Sequence, residues 1–369
     1  MIKCKKGFSL IELLIVMVIM GFVLAGTSQM FVSLLTDFKK QSKIAESNIE
    51  GIIGLEMLRR NIESAGYGLP HFIGAAAYQE AANAVAADYN DAPNNPPRAF
   101  VAGDGITAAG YVNGSDYLVI KAINVAMNET CAKWTDLITD GTATTTIWSQ
   151  PELNLIDTDR VIVIAPGSPT AVGSTAVTSN NLILSTPGSF FFTQFSNLSA
   201  FSDKDQVRIV YGVDPDTDLR MAFNRADFFV STTTDPSGRC APGTGILKKA
   251  VVNHTNGGFN GNTYELLDCV ADMQVVFGLD RTGDGTADAY SPVLTDSMAT
   301  PLTAQQIREQ LKEVRVYILT HEGQRDRSYV HSPTDILVGE AGIGGRTFNI
   351  GANVNYRWKV YTLNMRMLL

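Results

Sequence analysis

The chain has 369 residues, enough for one large or two modest domains with real cores. It carries 29 Lys and Arg against 37 Asp and Glu, a formal net charge of −8, which argues against a general nucleic-acid surface because neutralising phosphates needs a basic patch. Only 18% of residues are charged, while Gly, Thr, Ser, Asn and Ala abound, a composition that suits a β-rich, loop-heavy extracytoplasmic domain better than a compact helical enzyme.

The N-terminus carries the strongest pattern. A basic leader with Lys3, Lys5 and Lys6 ends at Gly7, and an apolar run of 28 residues extends from Phe8 to Leu35. That exceeds the roughly 20 residues a bilayer-spanning helix needs, and the leading lysines predict a cytoplasmic N-terminus. Glu12 is the only charged residue inside the run. A carboxylate there costs roughly 2.5–3.5 kcal/mol on insertion scales, so it calls for a functional reason. The segment holds no cation. Cutting after Gly7 would create one, the α-amino group of Phe8, which in a staggered bundle meets the Glu12 of a neighbouring helix rather than its own. A secretory signal cleaved near Val23-Leu24-Ala25, or a plain anchor, would leave Glu12 without a role. A lipoprotein signal would need a cysteine where Thr27 stands.

Gly7-Phe8-Ser9-Leu10-Ile11-Glu12 resembles the class III signal of type IV prepilins and type II secretion pseudopilins. The resemblance implies a prepilin peptidase that cuts after Gly7 and N-methylates Phe8, with Glu12 guiding assembly. Many major pilins have a proline at the position of Gln29. Its absence here fits a specialised minor subunit.

Beyond Leu35 the helical pattern continues. Phe38, Ala45, Ile49, Ile52, Leu55, Leu58 and Ile62 recur at three- and four-residue steps, which predicts one apolar face packed on a globular head. Gly66, followed by Gly68 and Pro70, supplies the stop. Read as one helix, residues 8–64 span about 85 Å. Leu58-Arg59-Arg60 leading into Ala65-Gly66-Tyr67-Gly68 resembles the PilW group of minor pilins. The domain reading is thus a leader at 1–7, a transmembrane or filament-core helix at 8–35, its amphipathic continuation at 36–66 and a β-rich head at 67–369.

In the head, residues 71–115 read as an exposed excursion around Asn94-Asn95-Pro96-Pro97. Strands are predicted at 117–125, 160–165, 182–184 and 206–213, with surface inserts at 139–146 and 168–181. Residues 263–280 alternate cleanly, predicting a strand with Met273, Val275, Phe277 and Leu279 on its one buried face. A short helix is expected at 303–312, then strands around Val314–Ile318 and at 357–367. The fold class expected is α+β: a type IV pilin-like long N-terminal helix packed on an antiparallel β-rich head.

Asp280, Thr282, Asp284, Gly285, Thr286 and Asp288 form the one constellation with metal-ligand spacing. Calcium takes oxygens at alternating loop positions with a glycine at position six. Position twelve is Ser291, not the bidentate glutamate, and a solvated Asp-Gly hairpin turn is the competing reading. Of the four cysteines, Cys4 leaves with the leader, and Cys131, Cys240 and Cys269 allow three pairings among which sequence does not choose. Cys240–Cys269, with Cys131 left over, is the pairing carried forward; three buried free thiols is the alternative. His71, His254, His321 and His331 show no metal spacing and read as surface or loop residues, and no nucleophile elbow or phosphate loop occurs, so a non-enzymatic structural role is expected.

By resemblance, the expected role is a minor pilin of the bacterial inner membrane that joins other minor pilins and the major pilin and primes pilus assembly at the fibre tip. Its partners would be prepilin peptidase and the assembly platform and motor, with no nucleic acid. The alternatives are a type II secretion minor pseudopilin of the J kind and a tip adhesin binding through loops 71–115 and 139–181.

Overall fold

The computed structural model describes residues 9–70, 73, 77–164, 176–179, 182–185, 193–201, 206–232, 238–259 and 261–367. It is α+β: one long helix, Leu10–Glu63, leads into an antiparallel β head. The helix is 54 residues, about 80 Å, and runs without interruption past Gly21, Gly26 and the end of the apolar run. Gly66 and Gly68, both at positive φ, turn the chain into the head.

The head is organised by an eight-stranded antiparallel sheet. Its spatial order is Phe100–Gly103, Tyr117–Ala122, Asn224–Ser231, Gly245–Val251, Thr263–Leu279, Leu311–Glu322 and Arg357–Arg366, with Ala289–Ser291 added at the far end of the long strand. Val275 faces Val316, which in turn faces Leu363, so β-branched and leucine side chains stack across three strands. A second antiparallel sheet carries Trp134–Thr139, Arg160–Ile164 and Gln206–Asp214 at its centre, and a separately paired hairpin, Asp335–Val338 with Arg346–Asn349, packs on the outer face of the main sheet.

The helix is buried against the main sheet through about its last four turns, and nearer its start Lys40 and Ile44 meet the ends of two strands and the loop between them. Leu55, Leu58 and Ile62 are buried, and Gly51 and Gly54 face the long strand. Gly54 sits so close that a Cβ would overlap the carbonyl of Leu266, which no side chain at this position can avoid. The single apolar face expected for 36–62 is therefore split. Phe38, Ile49 and Ile52, with Ile53, stay 60% or more exposed. Ile49 and Leu58 are nine residues apart, about two and a half turns, so they point to opposite sides.

Two further expectations are corrected. The segment 71–115 is not an exposed excursion: among its described residues Tyr78, Glu80, Ala81, Ala86, Asp91, Ala99 and Phe100 are buried. The strand Thr263–Leu279 has both faces buried from Cys269 on, including Asp272 and Gln274. Its outer face is covered by a second cluster in which Ala271 and Val276 pack with Tyr317, Leu319, Val338 and Trp358. A period of two reports alternation of side chains, and a second apolar layer can cover the polar side.

The Gly54 contact gives a direct test. Gly54→Val should cost about 1–3 kcal/mol by overpacking and lower the melting temperature of the head. Gly21→Ala, where a Cβ meets nothing within 4 Å, should leave it unchanged.

Candidate functional site

The apolar helix is the site with the most to explain. Gly7 and Phe8, the expected processing residues, lie outside the described residues. From Leu10 to Leu35 the large apolar side chains are 43–83% exposed, and the most apolar 18-residue stretch within Leu10–Ala45 has a mean hydropathy of 2.5. It is the one helix among the described residues long and apolar enough to cross a membrane. Past Leu35, the exposed Phe38, Ile49, Ile52 and Ile53 carry an apolar stripe on along the side turned away from the head.

Glu12 has a partner that sequence reading overlooked. The Ser9 N–H donates to Glu12 Oε2 at 2.9 Å, the returning half of a capping box. The signal was present as Ser9-Leu10-Ile11-Glu12. The carboxylate thus occupies the positive end of its own helix, where a negative charge is favoured.

The loop after the long strand keeps its carboxylates busy with its own backbone. Asp280 accepts from the N–H groups of Gly283, Asp284 and Gly285 at 2.6, 3.2 and 2.7 Å, and Asp288 accepts from Arg281 and Thr282. Burial works to raise the Asp280 pKa, but these N–H groups hold it below the usual carboxylate value. Asp284 accepts from both the N–H and hydroxyl of Thr286. Gly285 has φ 89°, the left-handed turn that position six requires. Ser291 at position twelve lies in a strand opposite Phe277. Asp280, Asp284 and Asp288 do not converge on one point within 4.8 Å, so an ion would have to draw Asp284 or Asp288 inward.

Cys240 and Cys269 form a disulfide with Cα atoms 5.0 Å apart, and Cys131 is a buried free thiol whose pKa burial pushes up. His321 lies within 4.8 Å of both bridged sulfurs, and its Nε2 accepts the Ala241 N–H at 2.9 Å. The expectation of surface histidines fails for two of them. His254 and His321 are buried in the head, and burial lowers each to a pKa of about 4. His254 is held between the Arg220 N–H and the Asn224 amide oxygen. His71 lies outside the described residues.

A buried ionic network, also overlooked, ties segment 71–115 to the sheet. Lys121 bridges Glu80 at 2.7 Å and Asp91 at 2.6 Å, and Arg225 bridges Glu80 at 2.9 Å and Asp227 at 2.7 Å. Arg98 closes on Asp91, and the Tyr117 hydroxyl donates to Asp227. Three cations meet three carboxylates, with Glu80, Lys121, Arg225 and Asp227 wholly buried. Despite the burial that works to raise it, Lys121 and Arg98 hold Asp91 below the usual carboxylate value.

Two measurements follow. A calcium site lacking the position-twelve carboxylate would be of the weak extracellular type, Kd about 10⁻⁴–10⁻³ M. We propose that such binding raises the melting temperature at millimolar calcium; the rise should vanish in the D284A/D288A variant, and an unmoved wild-type curve removes the ion. For His321 the folded pKa lies below the unfolded one, so its contribution to stability is present above pH 6.5 and is lost as the pH falls toward 4. Asp116 and Asp272, pushed up by burial to about 7 and about 6, act in the opposite direction. Relative to wild type, H321Q should therefore gain about 2 kcal/mol on going from neutral pH to about pH 4.5, read from paired thermal melts.

Among models of known families, residues 2–28 match the Prokaryotic N-terminal methylation motif, and residues 227–367 match Type IV Pilus-assembly protein W. The second match spans the main sheet from Asp227 to its last strand; the Arg59-Arg60 motif lies outside it. Comparison with curated proteins and with solved structures gives no match. The two family matches support a pilus-related minor pilin of the PilW type, and with the apolar helix they fit anchoring in the inner membrane.

Proposed function

We propose that this chain, which couples a prepilin-type N-terminus to a pilus-assembly W domain, is a minor pilin that primes type IV pilus assembly and sits at the fibre tip. It waits in the inner membrane with its N-terminus in the cytoplasm. Prepilin peptidase cuts after Gly7 and methylates Phe8. The platform and motor then bring it together with other minor pilins and the major pilin. The work is non-covalent assembly, with no catalytic step assigned to the chain.

The observation that carries this reading is the two-sidedness of the helix. A helix serving only as an anchor has no need of exposed Phe38, Ile49, Ile52 and Ile53 beyond the lipid, on the side its own head does not use. In water such a stripe is a liability, whereas in a bundle it is the contact surface. Each apolar side chain fully buried there contributes about 1.5–3 kcal/mol. The helix would serve a type II secretion tip equally well; the match of residues 227–367 to a pilus-assembly model favours the pilus.

The test is deletion of the gene, counting of surface pili, and complementation. The wild-type chain should restore pili. A Gly7 substitution should leave the leader uncut, and E12A should be processed yet excluded from fibres. I49D/I53D should fold and dock normally but reduce incorporation tenfold or more, since an unpartnered carboxylate in a helix contact costs about 2–3 kcal/mol. Normal piliation of the deletion strain, or fibres that accept both E12A and I49D/I53D, overturns the assignment.

A further inference from the structure

The helix fixes the depth of everything attached to it. Leu35 ends the apolar run, and Lys40 follows five residues later, about 7–8 Å along the axis. The headgroup layer on each side of a bilayer is about 5–8 Å thick. At this level the head reaches down to the helix. Lys40 Nζ lies 3.4 Å from Asp326, and Gly323 passes so near Ile44 that a Cβ would meet its Cγ1 at 3.0 Å. The loop from Glu322 to His331 therefore hangs at the membrane surface on the head's side.

This loop is built rather than slack. Asp326 accepts from the Ser328 N–H at 3.1 Å and hydroxyl at 2.6 Å, and its own N–H donates to the Asn355 carbonyl. The Ser328 bonds, then Lys40, hold the Asp326 carboxyl down to about 2. Arg357 reaches Asp326 at 3.3 Å and lies over the Tyr329 ring at 4.4 Å. The result is a cavity of about 320 Å³ between helix and loop, with Lys40, Arg325, Arg357 and Ser328 among its donors. Its carboxylates are Asp37, Glu322 and Asp326; Glu322 is bridged to Lys359 and Asp326 to two cations.

We propose that this face is a binding site for the phosphate headgroups of anionic phospholipid in the leaflet next to the head. The proposal rests on the membrane-anchored state described above. Lys40 of the helix and Arg325 and Arg357 of the head line the cavity with its three carboxylates, and Lys39, Lys43 and Arg327 stand beside them in sequence, on a chain whose overall charge is −8. Arg325 and Arg327 are exposed, and Val330, 66% exposed beside them, supplies an apolar contact for the interface. Cations at this height attract an anionic surface within one Debye length, about 8 Å at physiological salt. Bound there, the head is held in a fixed tilt on the bilayer before the helix is drawn into a fibre.

The experiment uses the full-length chain in lipid nanodiscs, with hydrogen–deuterium exchange read over residues 322–331. In discs containing phosphatidylglycerol, exchange there should be about fivefold slower than in pure phosphatidylcholine, the factor expected for roughly one basic contact. The slowing should disappear in about 0.5 M salt and in R325Q/R327Q, whose exposed positions leave the melting temperature intact as a folding control. Equal exchange in the two lipids, or slowing that survives R325Q/R327Q, overturns the proposal. So does slowing by inorganic phosphate in phosphatidylcholine discs, which would make this a free-anion site. Loss of the pilin reading would appear instead in the piliation counts and would leave this result untouched.

Discussion

The structure depends on one close approach, that of Gly54 to the Leu266 carbonyl. It lets the end of an 80 Å helix lie directly on the backbone of the longest strand, so Leu55, Leu58 and Ile62 reach the core while the helix runs on unbroken. Three buried side chains contribute about 5–9 kcal/mol at most, less whatever the unfolded chain already buries. Lys249 adds a polar fix, donating to Asn61 Oδ1 at 2.9 Å, and burial brings its pKa down to about 8. Among the described residues, those from Leu10 to Leu35 are left exposed by the head, which at Asp37–Ile44 meets the helix through an ion pair and a loop. The solvent of that exposed stretch has to be something other than the head, and its length and apolarity fit lipid.

The head keeps its shape against a different cost. Burying Lys121, Arg225, Glu80 and Asp227 removes four charges from water, and such ions lose more hydration than a single pair returns. The network offsets that loss by giving each charge several partners. Arg225 alone donates to Asp227, Glu80, Asn90 and the Ala86 carbonyl. Removing any one member would leave its partners buried with fewer compensating charges. Segment 71–115 can therefore lack long strands or helices and still be fixed in place, with its polar sequence facing the core.

How much of this was legible in the sequence differs by element. The long helix and strands such as Arg160–Ile164, Thr263–Leu279 and Arg357–Arg366 could be read because a period of 3.6 or 2 needs only local pattern. Asn224–Ser231 and Gly245–Val251, buried on nearly every residue, show no alternation and are absent from the sequence reading. The inward turn of Glu80 and Asp91 could not, because their partners Lys121 and Arg225 lie 41 and 145 residues away from Glu80 in sequence, and polarity by itself signals solvent. The split of the 36–62 face was hidden for a related reason. Ile49 and Leu58 have the same hydrophobicity, and only the sheet decides which side is covered. The histidines misled in the same way: His254 and His321 become core residues because backbone N–H groups from distant loops meet their rings. At the start of the helix the failure was one of attention, since Ser9 and Glu12 stand at capping-box spacing.

That last pair changes how the buried acid should be understood. A hydrogen bond to a charged group contributes about 1.5–3 kcal/mol, close to the roughly 2.5–3.5 kcal/mol that a central membrane carboxylate costs. The Ser9 N–H can thus offset much of the cost of Glu12 while the chain stands alone in lipid. A positive partner is then not a condition for insertion. In the proposed assembly it would be a competitor for a carboxylate already partly satisfied, favoured because an amine brings a full charge where an amide brings a dipole. On the proposed assembly route, a locally capped acid would let the waiting subunit persist, and the surplus of the amine contact over the cap would be what drives assembly.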